Sequence, residues 1–300
     1  MNKPGDRRYL FEQERVLAPL LLAPAILYIF ALVAIPFFLA IAYSLSDVTL
    51  GDPTLDFVGL ENFRRILEDP VFRRSLRNSV VMTTVTMLLV VVIARILALV
   101  LTFDFRGKWM VRFLILLPWT TPVSLAAIAW LWMLDSLFSP IDWTLRYFGF
   151  IDGSLNWLGN PDLAVVSVVL VQVWRTVPLA AVIIMAGIVA IPDEIYDAAR
   201  VDGAGFWRTQ FEITNPLIFP VTAVAVLFGA VVVFADMSVP YVLTRGGPID
   251  STQVLPTWAF FRGIMGGDLA QGAAIALFSL PVLALMAALI LRAVRRMDIG

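Results

Sequence analysis

No cysteine and no histidine occur in this 300-residue chain, and lysine appears only as Lys3 and Lys108. Without thiols or imidazoles, disulfides, thiol redox chemistry, Cys/His zinc sites and imidazole acid–base catalysis are excluded. Neither lysine sits in Gly-x-x-x-x-Gly-Lys-Ser/Thr, since Trp109 follows Lys108, so the chain carries no phosphate-binding P-loop. Charge is scarce too. Only 15% of residues are charged and the net charge is −1, which leaves no basic footprint for nucleic acid. No solenoid-length repeat and no low-complexity stretch is present.

What the chain has in quantity is hydrocarbon. Hydrophobic residues make up 60% of it, and the mean hydropathy of +0.87 belongs to an integral membrane protein. Six segments are long enough to cross about 30 Å of bilayer at about 1.5 Å per helical residue. They lie at Val16–Tyr43, Ser79–Thr102, Met110–Leu134, Leu163–Ala190, Leu217–Pro240 and Ala270–Leu291. The expected architecture is an all-α membrane protein of six transmembrane helices. A tail 1–15 and first helix 16–43 lead to an external segment 44–78. A core 79–292 of five helices and a tail 293–300 follow. The first span is too long for a signal-peptide core and lacks a small-residue cleavage site, so it is expected to remain.

Cations flanking the spans set the orientation. Lys3, Arg7, Arg8 and Arg15, then Arg106, Lys108 and Arg112, then Arg200 and Arg208, then Arg292, Arg295 and Arg296 all fall on one side. The loop with Arg64, Arg65, Arg73, Arg74 and Arg77 dissents, but twelve cations against eight make both termini cytoplasmic. The external segment Asp135–Asp162 is rich in aromatics, including Trp143, Tyr147, Phe148 and Trp157, and reads as an interfacial belt or a docking surface.

One polar island, Ile191–Pro216, interrupts the apolar pattern between the fourth and fifth spans. Asp193–Val201 reads as a short helix, Gly203 as a turn, and a second helix runs into Pro216. Any cytoplasmic helical hairpin could carry a left-handed glycine and a solvated aspartate. This one carries more: Asp197, Ala198, Ala199, Asp202, Gly203 and Ala204, then Phe211, Ile213, Thr214 and Pro216, at fixed spacing. That pattern resembles the EAA coupling loop of binding-protein-dependent ABC importer permeases. It departs in two places, with Asp197 where the family has glutamate and Asn215 where it has leucine before the proline.

The resemblance to sugar permeases of the maltose-transporter type extends along most of the chain. It covers Phe57-Val-Gly-Leu-Glu-Asn-Phe63, Arg77-Asn-Ser79, Leu117-Pro118, Val173-Trp174 with Pro178, and Thr244-Arg-Gly-Gly-Pro248. Gly272 with Ala273, Ala274 and Ala276 completes the match. Within that family the chain looks nearest to the SugA-type permeases of mycobacterial trehalose importers. The resemblance implies the type I ABC importer permease fold and a disaccharide cargo, with trehalose the first choice. It also implies partners: a second homologous permease, two ATP-binding subunits that hold ATP and magnesium, an extracytoplasmic sugar-binding protein, and surrounding lipid. This chain would hold no cofactor and perform no catalysis. Asp197, Ala198, Ala199, Asp202 and Gly203 would seat in the ATPase.

Ionisable residues within spans are costly and face cavities or partners. Arg175 lies in the fourth span and Asp236 near the outer end of the fifth. Gln172, Arg175, Thr176 and Leu179 share one helical face by their i, i+3, i+4, i+7 spacing, and Pro178 frees a backbone acceptor at that level. The family resemblance makes Gln172, Thr176 and Asp236 sugar-lining, with Arg175 at a contact position that is apolar in the maltose relative. An Arg175–Asp236 pair locking two spans, or facing the partner permease, stays open beside it. So does a secondary transporter with Arg175 and Asp236 as its ion- or proton-coupled site, although no inverted repeat supports that. A membrane enzyme lacks any nucleophile–base or metal-ligand cluster. Arg95, in the second span, is expected to snorkel to the interface.

Overall fold

A computed structural model describes residues 14–297 of the chain. Residues 1–13 and 298–300, and with them the expected cations Lys3, Arg7 and Arg8, lie outside the described residues. Among those described, regular structure is helical apart from one isolated bridge between Ser46 and Phe57.

The first span is a continuous helical rod from Leu17 to Ser44. It comprises α1 (Glu14–Ile29), a π-helical turn at Phe30–Ala34, and α2 (Ile35–Ser44). Its apolar side chains, Leu20 through Phe38, are exposed. The short α3 (Glu61–Glu68) precedes the second span, α4 (Pro70–Thr102). That span starts at Pro70 rather than at the expected Ser79, because Asp69 accepts the Val71 N–H at 2.8 Å and Pro70 occupies the first turn, where no N–H is missed.

The third span differs most from expectation. It is two helices, α5 (Lys108–Thr120) and α6 (Val123–Met133), bent by 96°. Leu117-Pro118 does not make the break. Thr121 stands before Pro122 in extended conformation, as the proline ring requires, and its hydroxyl donates back to the Leu117 carbonyl at 2.7 Å. The same carbonyl also accepts the Thr121 N–H at 3.1 Å, so the last turn of α5 is closed at the break.

A folded segment follows, with α7 (Pro140–Tyr147) capped by Ser139. Asp142, 1% exposed, accepts from Leu155 N–H at 2.8 Å and from the Trp157 indole at 2.6 Å. Trp157 is therefore a structural pin, whereas Trp143, Tyr147 and Phe148 are exposed. The fourth span, α8 (Pro161–Val189), is capped by Asn160. After α9 (Asp193–Val201) and α10 (Phe206–Arg208), a π-helical turn at Thr209–Thr214 leads into α11 (Asn215–Phe234). The fifth span is thus helical from Phe206, continues through Pro216, and stops at Phe234 rather than at the expected Pro240. A separate α12 (Ser238–Thr244) follows, then α13 (Leu255–Phe260), a π-turn Phe261–Met265, and α14 (Leu269–Met297). The last helix runs past the expected Leu291 end.

The core lies where α4, α8 and α11 cross. Ala94 and Ala98 of α4 and Ala181 of α8 are fully buried, with Val168, Val171 and Ile184 around them. Small residues let membrane helices approach where lipid supplies no hydrophobic drive. Gly229 does the same on α11: a Cβ there would stand 2.9 Å from the Met87 sulfur. Hydrogen bonds define the two ends of the bundle. At one, Arg112 donates to the Leu101 carbonyl at 3.1 Å and approaches Met185. At the other, Asn78 aims its amide at the carbonyls of Asp250, Ser251 and Gln253, each at 3.0 Å, and Ser79 accepts the Leu255 N–H at 2.8 Å. Asn78 and Ser79 of the second-span motif are thus joined to the segment that follows the Gly-Gly-Pro248 turn, far away in sequence.

Candidate coupling hairpin and intramembrane polar site

The four polar positions singled out within the spans do meet, though unequally. Gln172 and Thr176, on one face of α8, are each 3% exposed. Gln172 donates its amide to Asp236 at 2.5 Å. Asp236 also accepts the N–H groups of Ser238 at 3.1 Å and Val239 at 3.2 Å. It therefore caps α12 from the end of α11, which is why the fifth span stops where it does. Arg175 is a more distant partner, 3.9 Å from Asp236, with side-chain exposures of 13% and 8%. Its guanidinium stands 5.8 Å from the Trp119 ring, within cation–π range, and its Nε is enclosed without a hydrogen-bond partner.

The tight cross-span link is thus Gln172–Asp236, not Arg175–Asp236. Thr176 packs at the α8–α11 crossing, its methyl 3.4 Å from where a Gly229 Cβ would stand. The Gln172 side-chain amide oxygen and the Thr86 hydroxyl, both without protein partners, border a cavity of about 20 Å³ that Ser79 and Thr83 share with a mainly apolar lining. Arg175 and Trp119 are the members of this group nearest the molecular surface. Trp119 was not singled out from sequence, and its place just before the Thr121–Pro122 break was the available signal.

At the opposite end, α8 reaches α9 across only Ala190–Pro192. Pro192 opens α9, and Asp193 and Glu194 in the first turn complement the helix dipole. The closing turn is a Schellman motif: Ala204 N–H donates to Ala199 O at 2.9 Å and Gly203 N–H to Arg200 O at 3.1 Å. Gly203 has φ of +73°. A Cβ there would meet nothing within 4 Å, so glycine is required by backbone conformation and not by space.

Asp197, Ala198, Asp202 and Gly203 are exposed, while Ala199 is buried against the body. Asp197 pairs with Arg200 at 2.7 Å on an open surface, where such pairs contribute little. Beside them stand exposed apolar side chains: Val201, Phe206, Trp207 and Phe211, with Trp207 and Phe211 stacked at 6.0 Å. In the sequence Phe211 is only one position of the hairpin motif; the fold of the hairpin is what brings it onto this aromatic patch. Arg95 does not snorkel; it bonds to Gln210 and Asn215 of the returning limb.

Comparison with known proteins bears on the family and the fold. Residues 90–298 match the family described as the binding-protein-dependent transport system inner membrane component. The chain is 32% identical over 297 residues to the sulfoquinovosyl glycerol transport system permease protein SmoG of Agrobacterium fabrum, covering 98% of this chain and 96% of that one. It is 31% identical over 267 residues to the trehalose/maltose transport system permease protein MalF of Thermococcus litoralis, covering 89% and 90%. A bacterial alginate ABC transporter, solved with an alginate pentasaccharide-bound periplasmic protein, shares the fold. It has a TM-score of 0.80 at 18% identity over 97% of this chain and 98% of that one. The chain belongs to the inner membrane component family of binding-protein-dependent transport systems, and its fold is that of an ABC importer permease.

Proposed function

We propose that this chain forms half of the translocation pathway of an ATP-driven sugar importer. An extracytoplasmic binding protein would deliver the cargo, a disaccharide with trehalose the first choice. The observation that carries this reading is the continuity between α8 and the exposed hairpin. One helix holds Gln172, Arg175 and Thr176 and runs, across three residues, into α9 and its Schellman turn. A displacement of α9 by an ATPase would therefore reach the polar site through a three-residue link and one helix.

The sugar would stand against Arg175 and Trp119, a guanidinium for hydroxyls and an indole for C–H faces. Gln172, Thr176 and Asp236, buried behind that wall, would hold it in place and complete the sugar-lining face. ATP and magnesium would be held by two partner ATPases, whose cleft would receive Asp197, Ala198, Ala199, Asp202 and Gly203 together with the Trp207–Phe211 patch. A second permease is supported by the first span, whose apolar side chains from Leu20 to Phe38 are largely exposed although its α2 end packs against α14. The relatives named above, permeases for glycosides across nearly their full lengths, support a sugar cargo. They give no support to a secondary transporter built on Arg175 and Asp236.

The deciding experiment is uptake of labelled trehalose into vesicles holding the complete complex with its binding protein, with ATP or with a non-hydrolysable analogue inside. Uptake that needs hydrolysis supports the reading. Uptake that follows an imposed ion gradient without ATP overturns it.

A further inference from the structure

Arg95 sits in α4 about two turns before Thr102, half-buried, on the side that meets the returning limb of the hairpin. Its Nε donates to Asn215 Oδ1 at 2.8 Å and its Nη2 to Gln210 Oε1 at 2.6 Å. A guanidinium only donates, so both amides must present their oxygens. Nη1 is enclosed and has no partner of its own.

The geometry of the limb makes this double bond possible. Gln210 and Asn215 are five residues apart, and in a regular α-helix they would point about 140° away from each other. The intervening π-turn, Thr209–Thr214, closes between i and i+5 and stacks such residues on one face. Thr214, fully buried, ties the turn by donating its hydroxyl to the Thr209 carbonyl at 3.1 Å. Asn215 is also one of the two positions where the hairpin departs from its family pattern, and the departure supplies the acceptor that Arg95 uses. A charged hydrogen bond placed where water is scarce is directional and stronger than a neutral one.

We infer that Arg95 is the positioning residue that locks the returning limb of the hairpin to the second span, so that α9 drives α8 directly and α4 through this latch. The inference rests on the hairpin being the ATPase-coupling element. Arg95 touches neither cargo nor nucleotide; it acts through Gln210 and Asn215.

The test uses the assembled complex with its own partner subunits in nanodiscs or vesicles, comparing wild type with Arg95→Leu, Asn215→Ala and the triple variant Arg95→Leu/Gln210→Leu/Asn215→Leu. Two quantities are read: amide exchange over residues 209–215, and labelled trehalose taken up per ATP hydrolysed. Arg95→Leu is expected to assemble, to exchange about tenfold faster in that segment, and to lose coupling severalfold, the equivalent of one charged hydrogen bond. Asn215→Ala should give a smaller change in the same direction. The triple variant, with no stranded acceptors, should regain protection. Unchanged exchange and an unchanged ratio overturn the inference, as does reduced assembly with the ratio intact, which marks a merely structural bond. Should Arg95→Leu not assemble, Asn215→Ala decides by the same two readouts. If wild type takes up no sugar with ATP, the transport reading fails, while the exchange data still report on the latch.

Discussion

The amide of Gln172 reaches Asp236 across 64 positions of sequence and makes a 2.5 Å bond between α8 and the junction of α11 with α12. With two backbone N–H groups the carboxylate is already well satisfied, and Arg175 at 3.9 Å adds the weakest of its contacts.

The first prediction follows from that order. Asp236→Ala leaves Gln172 and the start of α12 unpaired, at a cost of about 1–3 kcal/mol, and should lower the melting temperature of the detergent-solubilised complex. Adding Gln172→Leu should recover more of the loss than adding Arg175→Leu. A full recovery by Arg175→Leu alone would mean that the ion pair is the true lock.

Arg175→Leu, by contrast, should leave the melting temperature nearly unchanged, because its Nε is unpartnered and its carboxylate contact is long. Uptake should fall with assembly intact, and Trp119→Ala should act in the same direction. Normal uptake in both variants would remove them from the sugar path.

At Gly203 the cost of a side chain is conformational. Leucine in the left-handed region costs about 1–2 kcal/mol, so Gly203→Leu should insert normally but weaken capture of the ATPase in pull-down assays. Gly203→Asn, which tolerates that region, should stay close to wild type. Equal loss in both variants would point to crowding by the partner rather than to strain.

Asp197→Lys and Trp207→Ala probe the same surface by charge and by apolar contact. Both should reduce ATPase capture, and the charge reversal should lessen as salt is raised. Retention of the ATPase by Trp207→Ala would assign the aromatic patch to the lipid surface.

For topology, reporters inserted between Arg200 and Arg208 and fused after Gly300 should read cytoplasmic, and those at Asp152 and Gly246 external. A cytoplasmic signal at Asp152 would contradict the alternation of spans and the orientation expected from the cations.

Much of this protein was legible without coordinates, and the legible parts share a cause. The apolar spans, the α9 limits at Asp193 and Val201, and the left-handed turn at Gly203 are set by neighbours within one or two turns. Hydropathy, caps and glycine conformation act at that range. The tertiary structure decided what depends on approach between distant segments. The third span was expected to be continuous from Met110 to Leu134, yet it bends by 96° at Thr121–Pro122, where α5 packs against α8 and α6 against α12. The polar residues could be listed from the chain, but not paired. A hydrogen bond is settled to within a few tenths of an ångström by the crossing of two helices. That crossing gave Asp236 to Gln172 and Arg95 to the returning limb.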